Sequence, residues 1–322
     1  MMRLVAIDYE TVRRDNDSGP ATKFNTCFCD SATLPQIVDV PSPTPYAFSR
    51  WLPCITESRG LAEEDVQVVK LTQQQALLIV EASTASILTG VISRIHREDL
   101  EDVVYPAFST LKYPAGEKGL FMRLDGCSPK DATCRLHNGF KPQSLLLSTE
   151  DIVLRLASSE RAVKDIQGSL NADLTEILVF FLPFDPRMRS DREYRVFCAP
   201  RSGHISAISQ YQWHKPWKFK DYASDPKKMD SLVERISKAA QELQQTIVTA
   251  LQPDHCEEDR KLLDQGFSFD VFYDEDTGKS HLVELNVFGA RSGLGSCLFD
   301  WPRDFDLLYG ENGEEAQFRV TF

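Results

Sequence analysis

The chain lacks the features that would place it in a membrane or on nucleic acid. It has no run of about 18 apolar residues, the length a membrane-crossing helix needs, so no span is expected. Its opening, MMRLVAIDYETVRR, carries charges where the apolar stretch of a secretory leader would lie, so no leader is expected. Basic residues are in deficit: 36 Lys and Arg face 48 Asp and Glu, a formal charge of −12. Such a chain is a poor general binder of nucleic acid or anionic membrane, while a nucleotide carried with magnesium still fits. The eight cysteines (Cys27, Cys29, Cys54, Cys127, Cys134, Cys198, Cys256 and Cys297) contain no zinc-type pair of CxxC motifs. They read as free thiols in a reducing cytosol, so a cytoplasmic protein is expected. Cys27-Phe28-Cys29 before Asp30 is a weak metal signal. His255-Cys256-Glu257 is another, and reads more simply as a solvated helix end. Internal repeats and low-complexity tracts are also missing.

What is present is ample material for a core. The 322 residues are 42% hydrophobic and 26% charged, enough for one large domain or two intimate lobes. Residues 1–60 read as irregular, with much of the proline in PSPTPYAFSRWLP. Residues 61–104 read as helical. From about 117 short β-type runs alternate with turns: GLFMRLD, EILVFFL, EYRVFC, HISAISQ, FSFDVFY and SHLVELNVF. APRSG (199–203) reads as a hairpin turn. One amphipathic helix interrupts the runs, with Ser231 and Glu234 in a capping-box pattern and Leu232, Ile236, Ala239, Ala240, Leu243 and Ile247 as a core stripe. Helices followed by an antiparallel sheet predict an α+β fold with two lobes, divided into an N-terminal region 1–116 and a region 117–322.

The chemistry concentrates in HLVELNVFGARSGLGS (281–296). Strand side chains alternate, so Glu284 and Asn286 share a face about 6–7 Å apart. FSFDVFY and this run are separated by the turn DEDTGKS and predict a hairpin, which would set Asp270 across from Glu284 or Asn286. Three oxygen side chains on neighbouring strands suit magnesium. The bland alternative is a salt-bridge network. Arg123 and Arg195, each inside an apolar strand, and Lys130 after a Ser-Pro turn, are candidates for neutralising phosphate. EILVFFLPFDP is a buried strand ended by proline, whose backbone is a candidate for an adenine edge. AIDYET (6–11) has the Asp-x-Glu start of a two-metal exonuclease, but no later acidic motifs match it. GLGSC lacks the spacing of a serine nucleophile.

RLDGCSPKDA, EYRVFC…ISAISQ, FSFDVFYDEDTGKSHLVELNVFG and LFDW together resemble the cell division cycle protein 123 family, in that order, from about 119 to 301. The resemblance implies an ATP-grasp-like fold with nucleotide held between two lobes, and ATP with magnesium as cofactors. It implies Asp270, Glu284 and Asn286 as metal ligands, Arg123 as the phosphate-binding residue and Val179, Phe180, Phe181 and Leu182 as the adenine hinge. Its best-known members assist assembly of eukaryotic translation initiation factor 2. The chain departs from the family's usual pattern at Arg123 (usually Lys), Asp125-Gly126-Cys127, Tyr211-Gln212-Trp213 and Glu284-Leu285-Asn286-Val287.

Glu-x-Asn followed by a Gly-rich loop is similar to catalytic ATP-grasp ligases. Arg291 would then anchor a substrate carboxylate, with Gly289, Gly293 and Gly295 letting backbone donors approach an oxyanion. The first expectation is therefore an ATP- and magnesium-dependent ligase joining a small-molecule carboxylate to an amine through an acyl phosphate. The second is an assembly chaperone for initiation factor 2 subunits. The third is a nucleotide-binding regulator without turnover.

Overall fold

The computed structural model describes residues 2–19, 23–30, 32–37, 39–114, 118–133 and 144–322. The chain divides into two units, one of Met1–Gly60 with Arg187–Phe322 and one of Leu61–Pro186. The boundary expected at 116/117 lies outside the described residues, and the chain on both sides of it belongs to the second unit.

Among the described residues the strands are β1 (Arg3–Ile7), β2 (Gln67–Thr72), β3 (Leu120–Leu124), β4 (Glu176–Pro183), β5 (Glu193–Cys198), β6 (Ile205–Gln210), β7 (Phe267–Asp274), β8 (Lys279–Val287) and β9 (Gln317–Thr321). In the second unit β4 lies between β2 and β3, antiparallel to both. Its core joins Val69 and Leu71 of β2, Val179 and Phe181 of β4, and Ala76, Ile79, Ile152 and Leu156 from helices Gln73–Thr89 and Thr149–Ser158.

The first unit holds a six-stranded sheet in the order β1-β9-β6-β5-β7-β8. It is mixed, where an antiparallel sheet was expected: β9 runs parallel to both β1 and β6. All of β5 and β7 is buried, which fits their Val- and Phe-rich composition. The expected β7–β8 hairpin forms, as does the β5–β6 turn over 199–203.

Three local expectations are corrected. Residues 1–60 are not irregular: β1 leads into helix Tyr9–Asp17, capped by Asp8, and helix Phe48–Arg59 carries Pro53 inside it. The Asp8 of the exonuclease-like motif is thus a helix cap, accepting from the Glu10 and Thr11 N–H groups. Residues 61–104 are not all helix. QVVKLT alternates buried and exposed positions as β2, and only then does Thr72, in a capping box with Gln75, open the helix. The long helix starts at Pro226, not Ser231, because Asp225 caps it and proline is well placed in a first turn. Its apolar stripe is buried as expected.

Candidate functional site

A polar row crosses the six-stranded sheet. Glu284 on β8 pairs in register with Asp270 on β7, Asp270 with Arg195 on β5, Arg195 with Ser209 on β6, and Ser209 with Arg319 on β9. Direct cross-strand partners share a face, so five polar side chains line up across five of the six strands. Burial of such groups is costly unless they are paired. Arg195 pays that cost with a bidentate bond: its Nε donates to Asp270 Oδ1 and its Nη2 to Oδ2, both at 2.8 Å. The Asn286 amide donates to the same Oδ2 at 3.2 Å. Asp270 is 1% exposed, Arg195 5% and Glu284 8%, so solvent screens this charge little. Burial alone would lower the Arg195 pKa; the Asp270 carboxylate more than offsets it and holds the guanidinium well above its ordinary value. The register shifts between Asp270 and Val271, and such a bulge beside a charged pair re-aims side chains.

The row holds the Gly-rich loop down. Arg195 Nη1 donates to the Gly295 carbonyl at 3.0 Å, the Leu298 N–H to Ser209 Oγ at 3.1 Å, and Arg319 Nη1 to the Leu298 carbonyl at 3.2 Å. Arg319 is fixed in turn by Asp304. From the other side, the chain at 25–29 is laced to the loop. Asn25 N–H bonds Cys297 O, Ser296 N–H bonds Thr26 O, and Cys29 N–H bonds Ala290 O. A Cβ on Gly295 would sit 2.1 Å from Asn25 Oδ1, so glycine is needed there for close approach. A loop read from sequence as flexible is a tied one.

The sequence-predicted residues fall into separate groups. Asp270, Glu284, Asn286 and Arg195 come together. Arg195, expected as a phosphate-binding cation, is also the strand neighbour of Asp270. The salt-bridge alternative thereby gains a member, since β7 has β5 as well as β8 for a neighbour. Arg291 lines a different feature, a pocket of about 540 Å³ with Ile37, Pro41, Phe288, Phe305 and Tyr309; none of Asp270, Glu284 or Asn286 lines it. Arg123, Lys130 and Val179–Leu182 belong to the other unit. Arg123 is buried on β3 and its Nε donates to the Leu124 carbonyl. Lys130 is half-buried in a turn closed by its own N–H to Ser128 O. Val179, Phe180 and Phe181 are paired on both sides, by β2 and β3, and their side chains are buried. Only Leu182 has a register partner in β3 alone. A backbone edge for a base is thus better placed at Leu182 than across 179–181.

Beside β3, the Gly126 N–H donates to Asp165 Oδ2 at 3.3 Å, and a Cβ on Gly126 would lie 2.1 Å from Asp165 Oδ1. That accounts for glycine in the departing Asp125-Gly126-Cys127 stretch. Burial pushes the Asp165 carboxyl up and the Cys127 thiol up to about 12. The weak cysteine signals resolve into local bonds: Cys256 faces the Arg50 guanidinium, and Asp30 accepts from Thr33. Cys134 lies outside the described residues. Among the described residues no cluster of three His, Cys, Asp or Glu side chains is arranged to hold a metal, and no helix is long and apolar enough to cross a membrane. Sequence reasoning missed Ser209, Arg319 and Asn25. Arg319 stood in the apolar run QFRV, the same signal that singled out Arg123 and Arg195.

The mixed sheet, the three-stranded unit and the polar row define an α+β protein of two units. The D123 family model matches residues 115–321, and the chain belongs to that family. In fold it is similar to Cdc123 from Schizosaccharomyces pombe, with a TM-score of 0.54 and 17% identity over 88% of this chain and 98% of that one. It is equally similar to the C-terminally truncated form of the same protein, with a TM-score of 0.54, 18% identity and the same coverage. No curated relative matches.

Proposed function

We propose that this chain is an ATP- and magnesium-binding assembly factor of the Cdc123 kind, acting on subunits of translation initiation factor 2. The observation that carries the nucleotide part is the polar row Glu284–Asp270–Arg195 beside Asn286, inside the region matched by the family model. Its donor set fits magnesium: two buried carboxylates and a half-buried amide are hard oxygen ligands, few in number, as that ion prefers when phosphate and water complete its shell. Asp270, Glu284 and the Asn286 amide oxygen would hold the ion. Arg195 supplies fixed positive charge for phosphate at the same place. The partner comes from the family, whose best-known members act in initiation factor 2 assembly.

The ligase reading has less support. Its carboxylate anchor, Arg291, lines a pocket that none of the three metal-ligand candidates lines. The two solved structures to which it is similar are named as Cdc123 and not as ligases.

Calorimetric titration of ATP with and without magnesium, followed by capture of purified initiation factor 2 subunits, tests the proposal. Magnesium-dependent ATP binding with subunit capture is the expected result. ATP binding absent in both titrations overturns the nucleotide part. ADP release stimulated by amino acids or other carboxylates, with no subunit capture, restores the ligase.

A further inference from the structure

Among the described residues, positions 214–228 of this acidic chain form a concentrated basic surface built on a rigid support. Between His214 and Lys228 there are five lysines and two aspartates, in a protein whose net charge is −12. Trp217 and Phe219 point inward and are buried, while Lys215, Lys220, Lys227 and Lys228 are exposed. The inward anchors are secured. Trp217 Nε1 donates to Tyr194 Oη at 3.0 Å, Trp217 N–H to Thr321 O at 3.0 Å, and its ring packs edge-on to Phe219 and Phe322. The Lys215 carbonyl accepts from Gln210 and Thr321. Lys228 lies over the Tyr222 ring at 3.9 Å, and Lys218 is paired with Glu275. Lys227 and Lys228 occupy the first turn of helix Pro226–Ala250, where no acidic residue stands; cations are unfavourable there for the helix itself. Helix stability does not explain them.

We infer that residues 214–228 form a docking surface for an acidic polypeptide segment of a partner protein. The charge distribution selects this occupant over other polyanions. A long nucleic acid or an anionic membrane would extend over the acidic remainder of the chain and be repelled, whereas a short acidic segment meets a local excess of lysine, five against Asp221 and Asp225. Half-buried Trp213, edge-on to His214, and the half-buried ring of Tyr222 add flat contact area beside the charges. The inference is independent of nucleotide binding.

Fluorescence anisotropy of a labelled poly-glutamate peptide with the full chain tests it. Saturable binding at low ionic strength is expected, weakening as salt is raised. Lys215→Glu, Lys220→Glu and Lys227→Glu combined should weaken it at least about tenfold, while the Lys→Arg version of the same triple change retains it. Circular dichroism melting establishes that both variants fold. No binding by the folded wild type, equal binding by the folded Lys→Glu triple variant, or tighter binding of single-stranded DNA or phosphatidylserine vesicles would overturn the inference.

Discussion

In the middle of β7, Asp270 receives Arg195; at its C-terminal end, Asp274 receives Arg187 and Arg192. Both aspartates are almost fully buried. Around Asp274 the neighbours are charged: Arg192 also bonds Glu275 and Asp276, and Lys218 bonds Glu275. The result is a knot of alternating charge at a hairpin turn. Around Asp270 neutral groups join in, namely the Asn286 amide and the Gly295 carbonyl, and a glycine-rich loop is drawn onto the sheet. A buried acid–base pair is therefore not by itself the mark of a binding site. What separates the two places is the chemistry around the pair: charges closing on one another in one case, a neutral amide, a backbone carbonyl and a close backbone approach in the other.

The comparison is broken most forcefully at Asp270. Asp270→Ala leaves the Arg195 guanidinium buried and uncompensated, so urea unfolding should show a loss of about 3–5 kcal/mol. Asp270→Asn keeps the shape and should still abolish magnesium-dependent ATP binding in calorimetry. If that variant binds ATP normally, both aspartates of β7 belong to structural knots.

The Asp274 end should yield less, because Arg187 is more than half exposed. Asp274→Ala should cost about 1 kcal/mol and leave ATP affinity unchanged. The Asp274 knot also has a pH signature. Burial acts to raise this carboxyl, but Thr277, the Asp276 N–H and the two arginines together hold it below its ordinary value. A depressed folded pKa stabilises the protein above the unfolded value, near 3.8, and that stability is lost as pH falls through the folded value. Wild type should therefore lose more stability between about pH 6 and pH 3 than Asp274→Asn, measured by urea midpoints.

Gly126→Ala should cost roughly 1 kcal/mol, since Asp165 must give way, read as a lowered urea midpoint. The smallest effect is expected at Arg291. Arg291→Ala should change stability by under about 0.5 kcal/mol and leave ATP affinity as it was. A clear loss of ATP affinity there would join the Arg291 pocket to the polar row as one site.

Much of this was legible in the residues. The β7–β8 hairpin follows from period-two alternation around a turn, a local signal that set Asp270 across from Glu284 or Asn286; the register selects Glu284. The apolar stripe of the long helix is local too. The Asp270–Arg195 pair was not legible, because it depends on β5 lying beside β7 across some 70 intervening residues, and register over that distance is set by the whole sheet. Ser209 and Arg319 were missed for the same reason. The N-terminal elements escaped because proline was taken as a sign of loop, yet Pro53 sits within a helix and Pro45 is buried at its approach. The lacing of 25–29 to the glycine loop had no local sign at all.

The pairing of β1 with β9 has a consequence for how the protein is made. Among the described strands β9 is the only neighbour of β1, and Arg3 meets Gln317, more than 300 residues downstream. At ribosomal speeds β1 emerges on the order of tens of seconds before its partner. Through that interval it is an unpaired edge, open to chaperones and to mispairing with other nascent chains, and the six-stranded sheet is complete only once β9 has been made.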